Sequence, residues 1–201
     1  MKRAKRDTIL QLRNHTIISE QERKAGKEIG VCILQAPYSL KKGGCMLAQY
    51  KMELNKEGLP ILVKEKETDY GNQEVVINTP QKVVSLINKA VNLENQAEEH
   101  LYIIAFDIRL KPKGIFEVTH GSVSQSVFSP REIFQRAFMV GASNIAMIHN
   151  HPSGDVTPSI ADNKSYQMLK DAGKIMNINV FDSIIIGKDK YYSYTEEEVQ
   201  R

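Results

Sequence analysis

Cysteine is scarce in this chain: Cys32 and Cys45 stand thirteen positions apart with no histidine pattern around them. Such a pair reads as ordinary cytosolic thiols and excludes a disulfide scaffold or a zinc knuckle. Long apolar runs are missing as well, so no bilayer-spanning segment and no membrane partner is expected. The basic start M-K-R-A-K-R-D runs into mixed polar sequence rather than an apolar leader core, which points to a cytoplasmic protein. There is no internal repeat and no low-complexity tract. Residues 1–66 offer neither an aromatic platform for bases nor a glycine-rich phosphate cradle.

What is present is an ordinary globular composition, 41% hydrophobic and 25% charged over 201 residues. That length holds one substantial domain and a smaller attachment. The net charge of +3 is too small to name a partner, but its distribution is uneven. Residues 1–66 carry 14 Lys/Arg against 7 Asp/Glu, and the remainder 13 against 17. A basic arm on an acidic domain can track a phosphate backbone, so DNA association through this segment is one expectation. A merely solvated basic segment is the other.

The first 69 residues are expected to form a basic segment of unclear fold, and residues 70–201 the main domain. Helices are expected over 7–12 and 19–30, the second with Ser19 and Glu22 as a capping box. Residues 45–63 alternate only weakly. A turn at 70–72 and a short strand at 75–77 lead to Thr79-Pro80, a cap followed by proline at the first helical position. Val83, Val84, Ile87 and Val91 make the apolar stripe of that helix. Strands follow at 101–106 and 115–120, close enough to pair antiparallel. Ser129-Pro130 starts a second helix with Ile133, Phe134, Ala137 and Phe138 inward, ended by Gly141. After a strand at 144–148, Thr157-Pro158 opens a third helix with Leu169, Ala172 and Met176 on one face. Strands at 180–186 and 191–194 close the chain. This order predicts an α/β domain with a mixed sheet.

The stretch from Asn144 to Asp162, N-I-A-M-I-H-N-H-P-S-G-D-V-T-P-S-I-A-D, concentrates the chemistry. Its apolar start is a buried strand ending in His149 and His151, and Pro152 and Gly154 then break it. Residues two apart on a strand share a face, so the two imidazoles can converge on one ion. Asp162, in the first turns of the next helix, can supply a third ligand. Two imidazoles and a carboxylate, with a corner left for water, make a reasonable catalytic zinc set. The competing reading is a polar loop held by hydrogen bonds, with Asp162 merely favourable at a helix start.

His149-x-His151 followed by Ser159-x-x-Asp162 resembles the JAMM signature of the JAB1/MPN metalloprotease superfamily. The fuller string H-N-H-P-S-G-D-x-x-P-S, with S-P-R-E-I-F before it and I-I-I-G after it, resembles the RadC-like branch. The resemblance covers about residues 70–195. It implies a JAB1/MPN-like, cytidine-deaminase-like α/β fold, a mixed sheet flanked by helices, and a Zn²⁺-dependent hydrolase cleaving peptide or isopeptide bonds. It favours Asp162 over Asp155 as third ligand. It also implies a glutamate ahead of the strand preceding the site, matched by Glu99 with Glu98 as fallback. That glutamate takes a proton from water and returns it to the leaving amine. Ser159 can act as a local cap, mimicking a capping box with Asp162 three residues on; because Thr157-Pro158 supplies the better cap, it is also expected to donate to the oxyanion. Asp182 is expected to accept the second N–H of a ligand histidine. Where the RadC-like pattern has Asp-His, this chain has Asp182-Ser183. Longer RadC-like proteins often carry a helix-hairpin-helix segment ahead of this domain, and residues 1–70 show no such motif. His15, His100 and His120 show no ligand spacing.

The alternatives to a metallopeptidase that cleaves a protein or peptide substrate are a DNA-associated repair or recombination protein, a metal-dependent nuclease, and a non-catalytic accessory. The nuclease reading is weakened because two imidazoles are a poor shell for Mg²⁺.

Overall fold

A computed structural model describes residues 40–41, 44–71, 76–121 and 128–200. The helices expected over 7–12 and 19–30 lie outside these residues, as does Val75. Strands β1 (Leu40–Lys41), β2 (Gly44–Leu54) and β3 (Pro60–Asp69) come first. Helix α1 (Pro80–Val91) leads through a short 3₁₀ turn at Leu93–Asn95 into β4 (His100–Phe106) and β5 (Pro112–His120). Then come α2 (Pro130–Met139), β6 (Asn144–Asn150), α3 (Ile160–Met176), β7 (Asn179–Gly187), β8 (Lys190–Ser193) and α4 (Tyr194–Gln200).

The strands form one mixed sheet in the order β1-β2-β5-β4-β6-β7-β8, with β3 paired to β2. The pairs β2–β5 and β6–β7 are parallel, and the rest are antiparallel. Helices lie on both faces, because β4 and β6 are buried on both and alternate strictly. Tyr102, Ile104, Phe106, Ala146 and Ile148 meet Val83, Leu86, Ile87 and Ala90 of α1. Leu101, Ile103, Ala105, Ile145 and Met147 meet Ile133, Phe134 and Ala137 of α2 and Tyr166 and Leu169 of α3. Gly173 lets α3 sit hard on β7: a Cβ there would lie 2.7 Å from the Ile178 carbonyl. Among the described residues no helix is long and apolar enough to cross a membrane.

The mixed α/β architecture agrees with the sequence, and several details do not. Residues 76 and 77 form no strand. The weakly alternating region is a long hairpin, β2–β3, with a register shift at Gln49/Tyr50 that blurs its period. Phe138 is 53% and Met176 43% exposed, while Leu86, Ala90 and Gly173 occupy the buried stripes instead. Thr157-Pro158 does not start α3: Ser159 is its N-cap, and the helix begins at Ile160. A helix, α4, follows the closing strand.

Candidate metal centre

Period-two alternation decides which side chains meet. On β6 the odd positions Ile145, Met147 and His149 face α2 and α3, and His151 follows one pleat later. Leu101 on β4 pairs with His149. Continuing that register by one pleat sets Glu99 across from His151. Pairing with β7 persists past the end of β6 through the His151 N–H to Ile186 carbonyl bond, 2.8 Å.

The chain then turns sharply. Gly154 donates to the His151 carbonyl at 2.9 Å and has φ +78°, a left-handed conformation open to glycine. The loop lies flat on β7 because residue 187 is glycine, where a Cβ would stand 2.6 Å from the Gly154 carbonyl oxygen. Asp155 shapes the rest of the loop by accepting from the backbone N–H of Thr157 at 3.0 Å and from its hydroxyl at 2.8 Å. Those bonds hold its carboxyl below the ordinary range, and it is not a member of the cluster.

The Asp155 backbone carbonyl also takes His151 Nδ1, at 2.6 Å. A carbonyl only accepts, so Nδ1 carries the hydrogen and a neutral His151 presents a lone pair at Nε2. That nitrogen lies 3.2 Å from His149 Nε2. Asp162 places Oδ1 3.3 Å from His149 Nε2 and Oδ2 3.7 Å from His151 Nε2. Glu99 joins the two histidines in a group whose ligand atoms all lie within 4.8 Å of one another. The neighbouring Glu98 is exposed.

A reciprocal capping box fixes Asp162. The Ser159 N–H and Oγ donate to Oδ2 at 2.8 and 2.6 Å, and the Asp162 N–H returns a bond to Oγ at 3.1 Å. Burial pushes the Asp162 carboxyl up, but the bonds from His149 and Ser159 and the nearby imidazole outweigh it, leaving it well below the usual range. Burial raises the Glu99 carboxyl, opposed by the histidines and reinforced by Asp162. A small cavity of about 20 Å³, room for one water, adjoins them, lined by Glu99, Leu101, Phe128, Met147, His149, Asp162 and Ser165.

Ligand atoms bonded to a tetrahedral zinc at ~2.05 Å stand about 3.3 Å apart. The separations of 3.2, 3.3 and 3.7 Å between the two imidazoles and Asp162 match that spacing, so the donor set fits such an ion.

The expected partner of Asp182 and the expected helix cap are corrected. Asp182 does not reach a histidine: it is fully buried and accepts from Ser193 Oγ at 2.6 Å, Ser183 N–H at 2.7 Å and Thr195 N–H at 3.1 Å, anchoring the start of α4. The Asp155 carbonyl takes that part instead. Ser159 is not left free by another cap, since its hydroxyl hydrogen goes to Asp162. Asn150, missed in the sequence, pins the site from behind. Its Oδ1 accepts the His100 N–H at 2.8 Å and its Nδ2 donates to the Glu98 carbonyl at 3.0 Å, fixing the chain on either side of Glu99. Its place between two histidines was the available signal.

Comparison with known proteins gives the same grouping. The chain is 35% identical over 124 residues to a UPF0758 protein of Desulfitobacterium hafniense, covering 62% of this chain and 54% of the relative. A UPF0758 protein of Clostridium beijerinckii is 38% identical over 125 residues, covering 62% and 54%. One of Clostridium botulinum is 37% identical over 136 residues, covering 68% and 59%. The chain thus spans little more than half the length of these curated relatives. The profile described as RadC-like JAB domain matches residues 77–199, which include every residue of the cluster, and the chain belongs to that family.

Proposed function

We propose that His149, His151 and Asp162 hold one Zn²⁺ and that the site hydrolyses a peptide, isopeptide or related amide bond, as a JAMM-type metallopeptidase. The observation that supports this best is the convergence of two imidazole nitrogens and a capped carboxylate at 3.2–3.7 Å, with Glu99 beside them. Zinc, when bound, supplies Lewis-acid chemistry, polarising a carbonyl and bringing the pKa of a water toward ~7.

The protein's own groups do the rest. The Asp155 carbonyl sets the His151 tautomer, and Ser159 holds Asp162 in its rotamer. Glu99 is close enough to take a proton from a water in the adjoining cavity and pass it to the leaving amine, and its burial-raised pKa suits it to both tasks. Leu101, Phe128 and Met147 keep that cavity dry on one side. Donation by Ser159 to an oxyanion requires its hydroxyl to leave Asp162, so holding Asp162 is its first role. Residues 1–69 are read as a basic N-terminal segment whose strands β1–β3 join the sheet of this domain through the β2–β5 pairing.

A second reading has its own support. The surplus of basic residues within 1–66 suits a DNA-associated accessory in which the ion is structural. The comparisons, which reach the family and no activity, accord with it better than with a peptidase. Glu99→Gln separates the two. The hydrolase reading expects zinc to stay and amide hydrolysis to fall by at least ~100-fold. Unchanged hydrolysis in that variant, or none in the zinc-loaded wild type alongside zinc-independent DNA binding, supports the accessory. DNA cleavage that survives zinc removal and is restored by Mg²⁺ supports a nuclease.

A further inference from the structure

Across the sheet from the metal corner lies a second group of ligand-type side chains. His100 opens β4 and His120 ends β5, and the two are paired in register. Glu117 sits three residues before His120, a spacing that ordinarily puts two strand residues on opposite faces. A register shift opposite Leu101/Tyr102 adds one residue to β5, so that Glu117 pairs with Tyr102 while His120 pairs with His100. The bulge therefore turns Glu117 and His120 to one side. Tyr102, stacked on His100, packs toward α1, which identifies that side as the face away from His149.

One carboxylate oxygen, Glu117 Oε1, lies 2.8 Å from His100 Nδ1 and 3.7 Å from His120 Nδ1. Two of the three separations thus lie near the ~3.3 Å between neighbouring ligands of a tetrahedral ion, while the trio falls outside the 4.8 Å mutual spacing that Glu99, His149 and His151 meet. The imidazole centroids are 5.6 Å apart, against 5.0 Å for His149 and His151, so the group is more open. His120, 66% exposed, has the freedom to close it by turning.

We propose that His100, Glu117 and His120 form a second divalent-cation site, selective for a borderline ion such as zinc over Mg²⁺ or Ca²⁺. Two imidazoles and one carboxylate favour that class, and solvent completes the shell. An ion there clips the start of β4 to the end of β5. Glu99 precedes His100, and its carbonyl accepts the Gly121 N–H at 3.0 Å, so the clip secures the backbone that carries Glu99.

The test is calorimetric titration of the full chain with Zn²⁺ alone, in wild type, His120→Ala, Glu117→Ala and His149→Ala. The expected result is two binding events in wild type. The weaker one is reduced more than about tenfold in His120→Ala and Glu117→Ala while the tighter one persists. His149→Ala removes the tighter event and keeps the weaker, so failure of the metal centre and failure of this site are read separately. The persisting event in each variant reports that its fold is intact. A weaker event unchanged in both His120→Ala and Glu117→Ala, or no weaker event in wild type at millimolar zinc, overturns the proposal. Mg²⁺ competing with Zn²⁺ at equal concentration overturns the stated selectivity.

Discussion

Residues 149 to 151 present opposite sides of one strand end, and the two sides behave differently. On the α1 side Asn150 meets groups whose needs match its own, a backbone N–H for its oxygen and a carbonyl for its amide. On the α3 side His149 and His151 point ring nitrogens at each other and at a carboxylate, 3.2–3.7 Å apart. A shared proton relieves one such contact, and a cation relieves all three. The strand end thus pairs a self-satisfied structural clamp with a cluster of close-set donors whose charge and lone pairs suit a cation. The clamp fixes the chain beside Glu99, next to the cluster.

The sharpest way to break this contrast is on the α3 side. His149→Ala should weaken the tight zinc event well beyond the ~10–100-fold that loss of an outer hydrogen-bond partner costs, with a loss of urea stability in the zinc-free protein smaller than that of Asn150→Ala. Asn150→Ala should do the reverse. It leaves a backbone N–H and a carbonyl without their partner, and denaturant unfolding should show a loss of about 2–4 kcal/mol. Equal stability losses in the two variants would erase the distinction. Ser159→Ala tests the link between cap and ligand: it should lower stability by about 0.5–2 kcal/mol and weaken zinc about 10–100-fold. A stability loss with unchanged zinc affinity would make the capping box purely structural.

The smallest effect concerns alkaline pH on the α1 side. Burial first, then Glu117 and Glu65, push the Tyr102 hydroxyl up to about 12. An unfolded tyrosine titrates near ~10, so the folded chain binds this proton more tightly than the unfolded one. The resulting stability is present below pH ~10 and is lost as pH climbs toward about 12. Tyr102→Phe should flatten that part of the stability profile, and an unchanged slope would show that the hydroxyl is not shielded.

How much of this was legible in the sequence depended on range. His149, His151 and Asp162 lie close in the chain, and one strand end, one glycine turn and one helix start bring them together, so spacing carried the information. Asp155 as a loop former was legible for the same reason. The β2–β3 hairpin was not, because charged residues along β3 and a register shift mask its alternation. Phe138 and Met176 fit an apolar stripe and stay exposed, since which side of a helix is covered depends on the sheet beneath it. The cap of α3 was ambiguous because two residues compete to cap one helix, and the reciprocal bond with Asp162 decides for Ser159 over Thr157. The grouping of His100, Glu117 and His120 was invisible, because a bulge and not a period creates it.

The central claim rests on where one ion sits, and a crystal of zinc-loaded protein with anomalous data at the zinc edge reads that directly. The expected peak lies about 2.0–2.2 Å from Nε2 of His149, Nε2 of His151 and a carboxylate oxygen of Asp162, with no fourth protein side chain bound and Glu99 beside it. A peak that leaves Asp162 turned toward Ser159 alone, or a fourth side chain closing the coordination shell, would contradict it.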